Sequence, residues 1–363
     1  MIRRGIIRLI SLLLIVTVCL LFVNLIAGFA VAAEMKKIKF GWIAATAIPA
    51  FFVAEDKGFF AEEGIQCEIE TITAGSSMVV EVVASGQLDI GQCASSTTML
   101  AIEKGVPIRL VGVFEYQFID KQGRAWDAVA LVSRAEDDYK KLEDIRGKKV
   151  AVNDIGSIYN YYLRYQLRKR GIDPDRDVII IPIPFGQMQG ALIKKQVDAA
   201  VMLTYTYAIA KEEFPLKIIM EGTKLQGMDI DDTGGIGVNV KFAEKYPDLV
   251  VKFLKAVIKS SLFIAKDIKE NNGEFVKGSV QKRLKYKPKF LETWYAYRAY
   301  HGHEWDFVNP IQVPWSMIPK KSEIFLSEKF LKNPITPEKV IDNSFIKKAY
   351  AELGLKWDDA KGL

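Results

Sequence analysis

The chain has 363 residues with a formal charge of +6, and half of its residues are hydrophobic. Three arginines among the first eight residues supply half of that charge, so the remainder has no single-sign face, which argues against nucleic-acid binding. The roughly 330 residues that follow position 33 are too many for one compact core and favour two lobes.

The N-terminal segment has the pattern of a secretory signal peptide. Arg3, Arg4 and Arg8 precede the apolar run Leu9–Val31, which ends in small residues before the first acid. This pattern predicts a signal peptide over residues 1–33 and a periplasmic or other extracytoplasmic location. The run is also long enough to cross a bilayer, so an uncleaved N-terminal helix that tethers the protein is the alternative.

Alternating strands and helices follow, joined by short loops. Strands are predicted over Lys36–Ile43, Gln66–Ile72, Leu88–Cys93 and Ile108–Phe114, and helices over Ala50–Lys57, Ser76–Ala84 and Thr97–Lys104. Gly86, just after the second helix, suits the left-handed position that ends many helices. The β-α-β-α order predicts a doubly wound α/β sheet with parallel strands.

A second series of the same kind occupies the middle of the chain. Its strands are predicted over Lys149–Asn153, Val178–Pro182, Ala199–Leu203 and Lys217–Met220, and its helices over Ser157–Arg170 and Gln187–Lys194. We expect the strands Ala128–Ser133 and Gly235–Val240 to cross between the two series as a two-strand hinge that allows closure. Lobe 1 then comprises residues 34–132 and 237–363, and lobe 2 comprises residues 133–236.

The last third of the chain is predicted to be largely helical. In Pro247–Lys269 the apolar residues recur with the helical period, which predicts an amphipathic helix packed on lobe 1. Further helices are predicted over Pro288–Tyr300 and Thr336–Tyr350, the second with Pro337 in its first turn. No internal repeat and no long linker is apparent.

Five stretches resemble, in the expected order, the extracytoplasmic solute-binding proteins of ABC transporters in the nitrate/sulfonate/taurine and thiamine-precursor group. They are Pro49–Ile65 (PAFFVAEDKGFFAEEGI), Val83–Ile90 (VASGQLDI), Leu142–Val152 (LEDIRGKKVAV), Ala191–Ala200 (ALIKKQVDAA) and Asp342–Gly354 (DNSFIKKAYAELG). The resemblance implies an α/β type II periplasmic-binding-protein fold, in which two doubly wound lobes joined by a two-strand hinge hold a ligand in their cleft. It also places the first strand between the second and third, which keeps Cys67 and Cys93 too far apart for a disulfide.

The same resemblance places loops of both lobes at the ligand cleft. The candidate ligand-binding residues in these loops are Trp42, Thr46, Ala47, Gly75, Ser76, Ser77, Ser95, Ser96, Thr97, Gly156, Ser157, Thr204 and Tyr205. Hydroxyl groups and unpaired N–H groups at helix starts fit an anionic head such as a sulfonate or carboxylate. The alternative is that Ser76, Ser95 and Ser157 only cap their own helices.

Aromatic and acidic side chains complete the predicted site. Trp42, Phe114, Tyr159 and Tyr205 are candidates for its walls, although aromatic residues at such positions also belong to protein cores. Glu115, beside Phe114, is a candidate contact for an amine, as in an aminosulfonate, or else a solvated acid at a strand end.

The sequence shows no catalytic motif. It lacks a nucleophile elbow, a P-loop and zinc-ligand spacing, and we interpret His301 and His303 as lacking the further ligands of a metal site. Enzymes that share the fold of this family make a thiamine pyrimidine precursor, using their own histidine and a cysteine-rich iron motif. This chain has no such cysteine cluster. We therefore predict no enzyme activity and no cofactor.

The predicted function is capture of a small organic solute by lobe closure and its delivery to an inner-membrane ABC permease with its ATPase. The binding protein is expected to be a monomer without a nucleic-acid partner. A sulfonate, taurine or nitrate-type anion is favoured, because helix starts outnumber fixed charges among the candidate residues. The alternatives are a thiamine-pyrimidine-type or other heteroaromatic ligand stacked on Trp42 or Tyr205, a related enzyme, and a membrane-tethered sensor.

Overall fold

Two β-sheets form the framework of the protein. The computed structural model describes residues 35–43, 49–73, 75–119, 125–126, 128–228, 230–285 and 316–357. Both sheets lie in the larger of two units of the chain, Lys37–Leu363. The described strands are β1 (Lys36–Ile43), β2 (Ile65–Ile72), β3 (Ile90–Cys93), β4 (Ile108–Ile119), β5 (Ala125–Trp126), β6 (Val129–Arg134), β7 (Lys149–Val152), β8 (Ile179–Pro182), β9 (Ala199–Leu203), β10 (Leu216–Glu221) and β11 (Ile230–Asn239).

Helices connect and flank the strands. Those described are α1 (Pro49–Asp56), α2 (Phe59–Glu62), α3 (Ser76–Ala84), α4 (Ser95–Glu103), α5 (Ile158–Lys169), α6 (Phe185–Ile193), α7 (Thr204–Glu213), α8 (Gly222–Gln226), α9 (Val240–Lys245), α10 (Pro247–Asn271), α11 (Glu274–Leu284), α12 (Met317–Ser327), α13 (Pro337–Val340) and α14 (Ser344–Glu352). Gly86 has the left-handed conformation predicted for it, with φ of 78°.

The first sheet has the strand order β2-β1-β3-β11-β4-β5, and the second has β10-β6-β9-β7-β8. β1 therefore lies between β2 and β3, as the resemblance implied, and Cys67 and Cys93 are free thiols. β1 runs parallel to β3, and β7 runs parallel to both β8 and β9. The parallel pairs bring the starts of the following helices to one edge of each sheet.

The two predicted crossing strands, β6 and β11, differ from the parallel strands around them, because both run antiparallel to their neighbours. Each predicted crossing strand also lies within a single sheet, because the chain passes between the sheets in the segments just before them. Glycines let β11 fit between β3 and β4: a Cβ at Gly235 would lie 2.6 Å from the Cys93 carbonyl oxygen, and one at Gly237 would overlap the Cys93 sulfur.

Helix α10 confirms the predicted amphipathic helix and anchors the first sheet. Pro247 stands at its start, where a missing N–H costs nothing. The Phe253 ring on its buried face lies 5.5 Å from the rings of both Phe40 on β1 and Phe60 on α2, measured between centroids. This aromatic packing fixes the sheet whose edge carries the predicted site.

The predicted helix Thr336–Tyr350 is interrupted, because Ile341 between α13 and α14 pairs with Leu110 of β4. The predicted signal peptide, the predicted helix Pro288–Tyr300 and both histidines lie outside the described residues. Among the helices that are described, none has both the length and the apolar character needed to cross a membrane.

Candidate functional site

The serines at three predicted helix starts differ in whether they cap their helices. Ser157 caps α5, because the Asn160 N–H donates to the Ser157 hydroxyl oxygen over 3.3 Å. Helix α3 begins after Gly75 and helix α4 after Ala94, and neither start has a side-chain cap. The capping alternative therefore describes Ser157, but not Ser76 or Ser95.

Ser95 belongs to a buried ionic cluster, here called the lysine cluster, which consists of Ser95, Tyr162, Asp231, Asp232 and Lys321. The Ser95 N–H donates to Asp232 Oδ2 over 2.6 Å, and its hydroxyl donates to Asp232 Oδ1. Lys321 Nζ lies 2.5 Å from Asp232 Oδ1 and also contacts Asp231 and the Ser95 hydroxyl. The Tyr162 hydroxyl donates to Asp231. All five side chains are fully buried.

Burial and mutual attraction set the charges of the lysine cluster. Burial raises the pKa of Asp231 to about 7, against the opposing pull of the Lys321 ammonium. Burial alone would lower the pKa of Lys321, but attraction by Asp231 and Asp232 outweighs it and raises that pKa. Burial, together with Asp231, holds the pKa of Tyr162 well above its ordinary value. Lys321 is therefore a cation and Tyr162 a neutral donor.

In the lysine cluster, the Asp232 carboxylate occupies the N-terminus of α4. It ties α4 to β11, to α5 beside the second sheet and to α12 near the end of the chain. Two neighbouring residues were also predicted to bind ligand. The Ser96 hydroxyl is buried without a hydrogen-bond partner, and the Thr97 hydroxyl donates to the Ala94 carbonyl over 2.9 Å. Asp232 thus takes the place that the sequence predicted for an anionic ligand.

The start of α3 instead touches the loop that follows β7 of the second sheet. A Cβ at Gly75 would lie 2.9 Å from Asp154 Oδ2, and a Cβ at Gly156 would overlap the Ser77 hydroxyl. Glycine at both positions permits this close approach. Gly75, Ser77, Asp154 and Gly156 are called the junction below. Three of these four were predicted from the sequence, and the structure brings them together from opposite sheets.

The junction and its surroundings contain buried oxygens without donors. Asp154 Oδ1 accepts from the Gly156 N–H over 3.0 Å, whereas Asp154 Oδ2 is buried without a partner. The side-chain oxygens of Asn153 and Asn160 are also buried and unpartnered. Asn160 Nδ2 donates to the Ile155 carbonyl over 2.6 Å, which holds the amide against the loop. Within the described ranges no lysine or arginine pairs with Asp154. Such a set of acceptors is costly unless a donor reaches it.

A groove of about 370 Å³ opens beside the junction, between α3 and α4. Ser77, Thr97, Gly156 and Tyr161 line it together with the charged residues Glu81 and Lys104, and the rest of the wall consists of alanine, valine and leucine. Burial raises the pKa of Tyr161 to about 12, with the Asp154 carboxylate contributing, so negative charge lies near this end of the groove. A concave, mainly apolar space with a few polar groups is typical of small-molecule sites.

The predicted aromatic walls are largely part of the core. Trp42 is 5% exposed and packs edge-on against Phe52, with ring centroids 5.1 Å apart. Tyr159 is 6% exposed and packs edge-on against Phe185. Phe114 is only half-buried. These positions favour the core alternative for Trp42 and Tyr159.

The remaining predicted residues lie elsewhere. The Thr204 hydroxyl and N–H both donate to the Ala128 carbonyl, at 3.2 and 3.0 Å, within the second sheet. Glu115 belongs to β4 and Tyr205 to α7, whereas Thr46 and Ala47 lie outside the described residues. In the part of the chain that is described, no group of histidine, cysteine, aspartate or glutamate is arranged to hold a metal ion.

Several site residues were not predicted from the sequence. Asp231 and Asp232 offered a signal, because two adjacent acids beside a predicted strand need a buried partner or solvent. Lys321 and Tyr162 offered none, because nothing local distinguishes a buried lysine or tyrosine from an exposed one. Asp154 follows a predicted strand, but it was not among the candidates.

A comparison with protein-family models decides the family. The model described as NMT1/THI5 like matches residues 45–270, which is more than half of the chain and includes the junction and the groove. The chain belongs to the NMT1/THI5-like family. Asp231 and Asp232 lie within the residues matched by the NMT1/THI5-like model, whereas Lys321 lies beyond them.

Curated relatives include binding proteins, a transporter component and enzymes. The taurine-binding periplasmic protein of Escherichia coli is 27% identical over 59% of this chain and 62% of its own length. The bicarbonate transport ATP-binding protein CmpC of Synechocystis is 25% identical over 64% of this chain, but over only 36% of its own length. The chain therefore spans less than two thirds of either protein. The yeast 4-amino-5-hydroxymethyl-2-methylpyrimidine phosphate synthase THI11 is 23% identical over 80% of this chain and 86% of its own length.

A solved structure confirms the fold. The alkanesulfonate-binding protein SsuA of Xanthomonas axonopodis, bound to MOPS, superposes with a TM-score of 0.66 over 85% of this chain and 99% of its own. Sequence identity in that superposition is 15%, so the similarity establishes architecture and nothing finer. The protein therefore has the periplasmic-binding-protein fold that the resemblance implied.

Proposed function

We propose that the protein is the solute-binding component of an ABC importer, which captures a small organic solute and delivers it to a membrane permease with its ATPase. The observation that carries this proposal is the junction, where glycines let α3 and the β7–α5 loop meet beside a groove of small-molecule size. A relative named as a periplasmic taurine-binding protein supports it.

The proposed two-lobe division follows the sequence prediction. Lobe 1 comprises residues 34–132 and 237–363, lobe 2 comprises residues 133–236, and closure brings the junction together around the solute. Binding energy is used to close the lobes and exclude water, rather than to drive a reaction. Neither an enzyme activity nor a cofactor forms part of this proposal.

We propose a small organic acid, of the sulfonate or taurine type, as the solute. Its anionic head would meet the start of α3, where no side chain caps the helix and where Ser76 and Ser77 are partly exposed. The start of α4 is not available to such a head, because Asp232 fills it.

The proposed location is the periplasm or its equivalent, after export with removal of residues 1–33. The exported protein would act as a monomer. An uncleaved N-terminal helix would tether the same binding unit to the membrane.

A pyrimidine-type solute is the second candidate. The pyrimidine phosphate synthase of yeast aligns with 80% of this chain, which is more than the taurine-binding protein does. The related enzyme activity is less well supported, because the chain has three cysteines and two histidines in all.

Thermal unfolding of the purified protein tests the proposal. The full chain is expressed, and its mass shows whether residues 1–33 are removed. The melting temperature is then measured with alkanesulfonates, taurine, nitrate, carboxylates and aminopyrimidines. One class is expected to raise the melting temperature, because a ligand that binds only the folded state stabilises it by about 2.7 kcal/mol at 100 times Kd. No shift with any class, or conversion of a solute into product, contradicts the proposal.

A further inference from the structure

The unpartnered oxygens at the junction indicate that the solute carries hydrogen-bond donors, which the helix starts do not indicate. Asp154 Oδ2, Asn153 Oδ1 and Asn160 Oδ1 come from one short segment, and all three are buried hydrogen-bond acceptors without donors. Asn160 is only 3% exposed. A folded protein rarely leaves several acceptors unsatisfied in one place, since each costs free energy when removed from water.

Rotation of Asn160 or Asp154 does not remove this imbalance. Asn160 already uses its amide nitrogen on the Ile155 carbonyl, so turning the amide would break that hydrogen bond. A carboxylate has only acceptor atoms, so neither orientation of Asp154 supplies a donor. The Gly156 N–H, a main-chain donor that reaches Asp154, is bonded to Oδ1 and not to Oδ2.

Asp154 lies beside the groove without lining it. Its carboxylate faces Gly75, just before α3, and Gly156, two residues further on, lines the groove together with Tyr161. Within the described ranges no cation neutralises it, in contrast to the carboxylates of the lysine cluster.

We propose that the solute carries an amino or ammonium group, and that Asp154 binds this group with the help of Asn153 and Asn160. This inference rests on the proposed function and narrows it. A solute of this kind is either an aliphatic amino acid analogue with an acidic head or an aromatic ring with an exocyclic amine. Both present N–H donors to the same oxygens, and the aliphatic ammonium would in addition balance the charge of the carboxylate.

Matched pairs of solutes test the proposal in the unmodified full-length protein. Taurine is compared by calorimetry with 1-propanesulfonate, in which a methyl group replaces the ammonium, and 4-aminopyrimidine is compared with 4-methylpyrimidine. We expect the amino member of one pair to bind about 10- to 100-fold more tightly, because a hydrogen bond to a charged group contributes on that scale. The pair that shows the difference identifies the aliphatic or the aromatic source.

Asp154→Asn then assigns the preference to the carboxylate. Asparagine retains an oxygen for the Gly156 N–H, so the loop is conserved while the charge is lost. The preference for the amino member should fall about 10-fold or more, and the methyl member should bind as before. Asp138→Asn is the matched control, because the Asp138 side chain is 87% exposed, and it should leave both affinities unchanged.

The outcomes separate the two proposals. Equal affinity within each pair, or a preference that survives Asp154→Asn, overturns the role of Asp154 and leaves the solute-binding function standing. Failure of every solute to bind overturns both proposals. The comparison of pairs in the unmodified protein remains decisive even if the substituted protein does not fold.

Discussion

The starts of α3 and α4 have nearly the same sequence, Gly-Ser-Ser and Ala-Ser-Ser, yet their surroundings differ in charge. At α4 the N–H and hydroxyl of Ser95 are bound by Asp232, whose charge Lys321 balances. At α3 no side chain caps the helix start, and the nearby Asp154 carboxylate has an unpartnered oxygen and no counter-charge among the described residues. The first arrangement has its counter-charge within the chain, whereas the second leaves its carboxylate for the proposed solute.

This difference distinguishes the lysine cluster from the proposed binding site without any appeal to sequence motifs. A satisfied buried cluster contributes to the fold, and a partly satisfied one at the meeting of two sheets is suited to a solute. Changes in the lysine cluster should therefore alter stability, and changes at the junction should alter binding.

Lys321→Met should have the largest effect on stability. It leaves Asp231 and Asp232 buried without their cation, which typically costs about 3–5 kcal/mol in the free energy of unfolding. Urea denaturation measures this loss. The control is Lys320→Met, because that lysine is 49% exposed and its pairing with Glu323 is worth at most about 1 kcal/mol. Equal losses for the two variants would show that the cluster has no special role.

Ser95→Ala should cost about 1–3 kcal/mol, because it removes a buried hydroxyl between Asp232 and Lys321. Ser76→Ala should change the free energy of unfolding by less than about 0.5 kcal/mol, since Ser76 is partly exposed and does not cap α3. Solute affinity should show the opposite order, with the larger loss for Ser76→Ala. The same ranking in both measurements would remove the distinction between the two helix starts.

Gly156→Ala should cost about 1–2 kcal/mol, because the added Cβ overlaps the Ser77 hydroxyl across the junction. Ser77→Ala in the same chain should recover most of that loss, since it removes the overlapping oxygen. Gly186→Ala is the control: a Cβ there meets nothing, and alanine favours the helix by up to about 1 kcal/mol. Losses that simply add in the double variant would show that the two residues do not touch.

The raised pKa of Asp231 should make the free energy of unfolding depend gradually on pH. Its folded pKa of about 7 lies above the ordinary 3.8, so the folded state holds the proton more tightly. The resulting stabilisation is present below pH 4 and is lost as the pH rises towards 7 and beyond, by at most about 1.4 kcal/mol per pH unit. Unfolding measured from pH 4 to 8 in the natural protein, relative to Asp231→Asn, should show this loss. A constant difference between the two proteins would contradict it.

Local patterns predicted most of the fold. β1 and α3 have the predicted bounds, because an apolar strand and a glycine-ended helix are encoded within a few residues. The reversed directions of β6 and β11 were not predictable in this way, since direction depends on which sheet a strand joins. The break at Ile341 has the same origin, because it arises from pairing with Leu110, far away in sequence.

The sequence predicted which helix starts lie close together, but not the side chains that surround them. Gly75, Ser77 and Gly156 do meet, because helix starts gather at the edges of parallel strands. Ser95 was assigned to a ligand because the sequence does not show that a lysine 226 residues away supports its acidic partner. Helix starts attract anions, and only tertiary structure tells whether the anion is a solute or an aspartate.

The position of Lys321 in the chain also sets the order in which the protein assembles. During synthesis Ser95, Tyr162 and both aspartates emerge long before the only cation of the lysine cluster. Until that lysine arrives, docking α4 against β11 would bury negative charge without compensation, and closure over so long a loop is slow. A chain still being synthesised would therefore remain loosely folded around α4 and β11 until the residues of α12 are added.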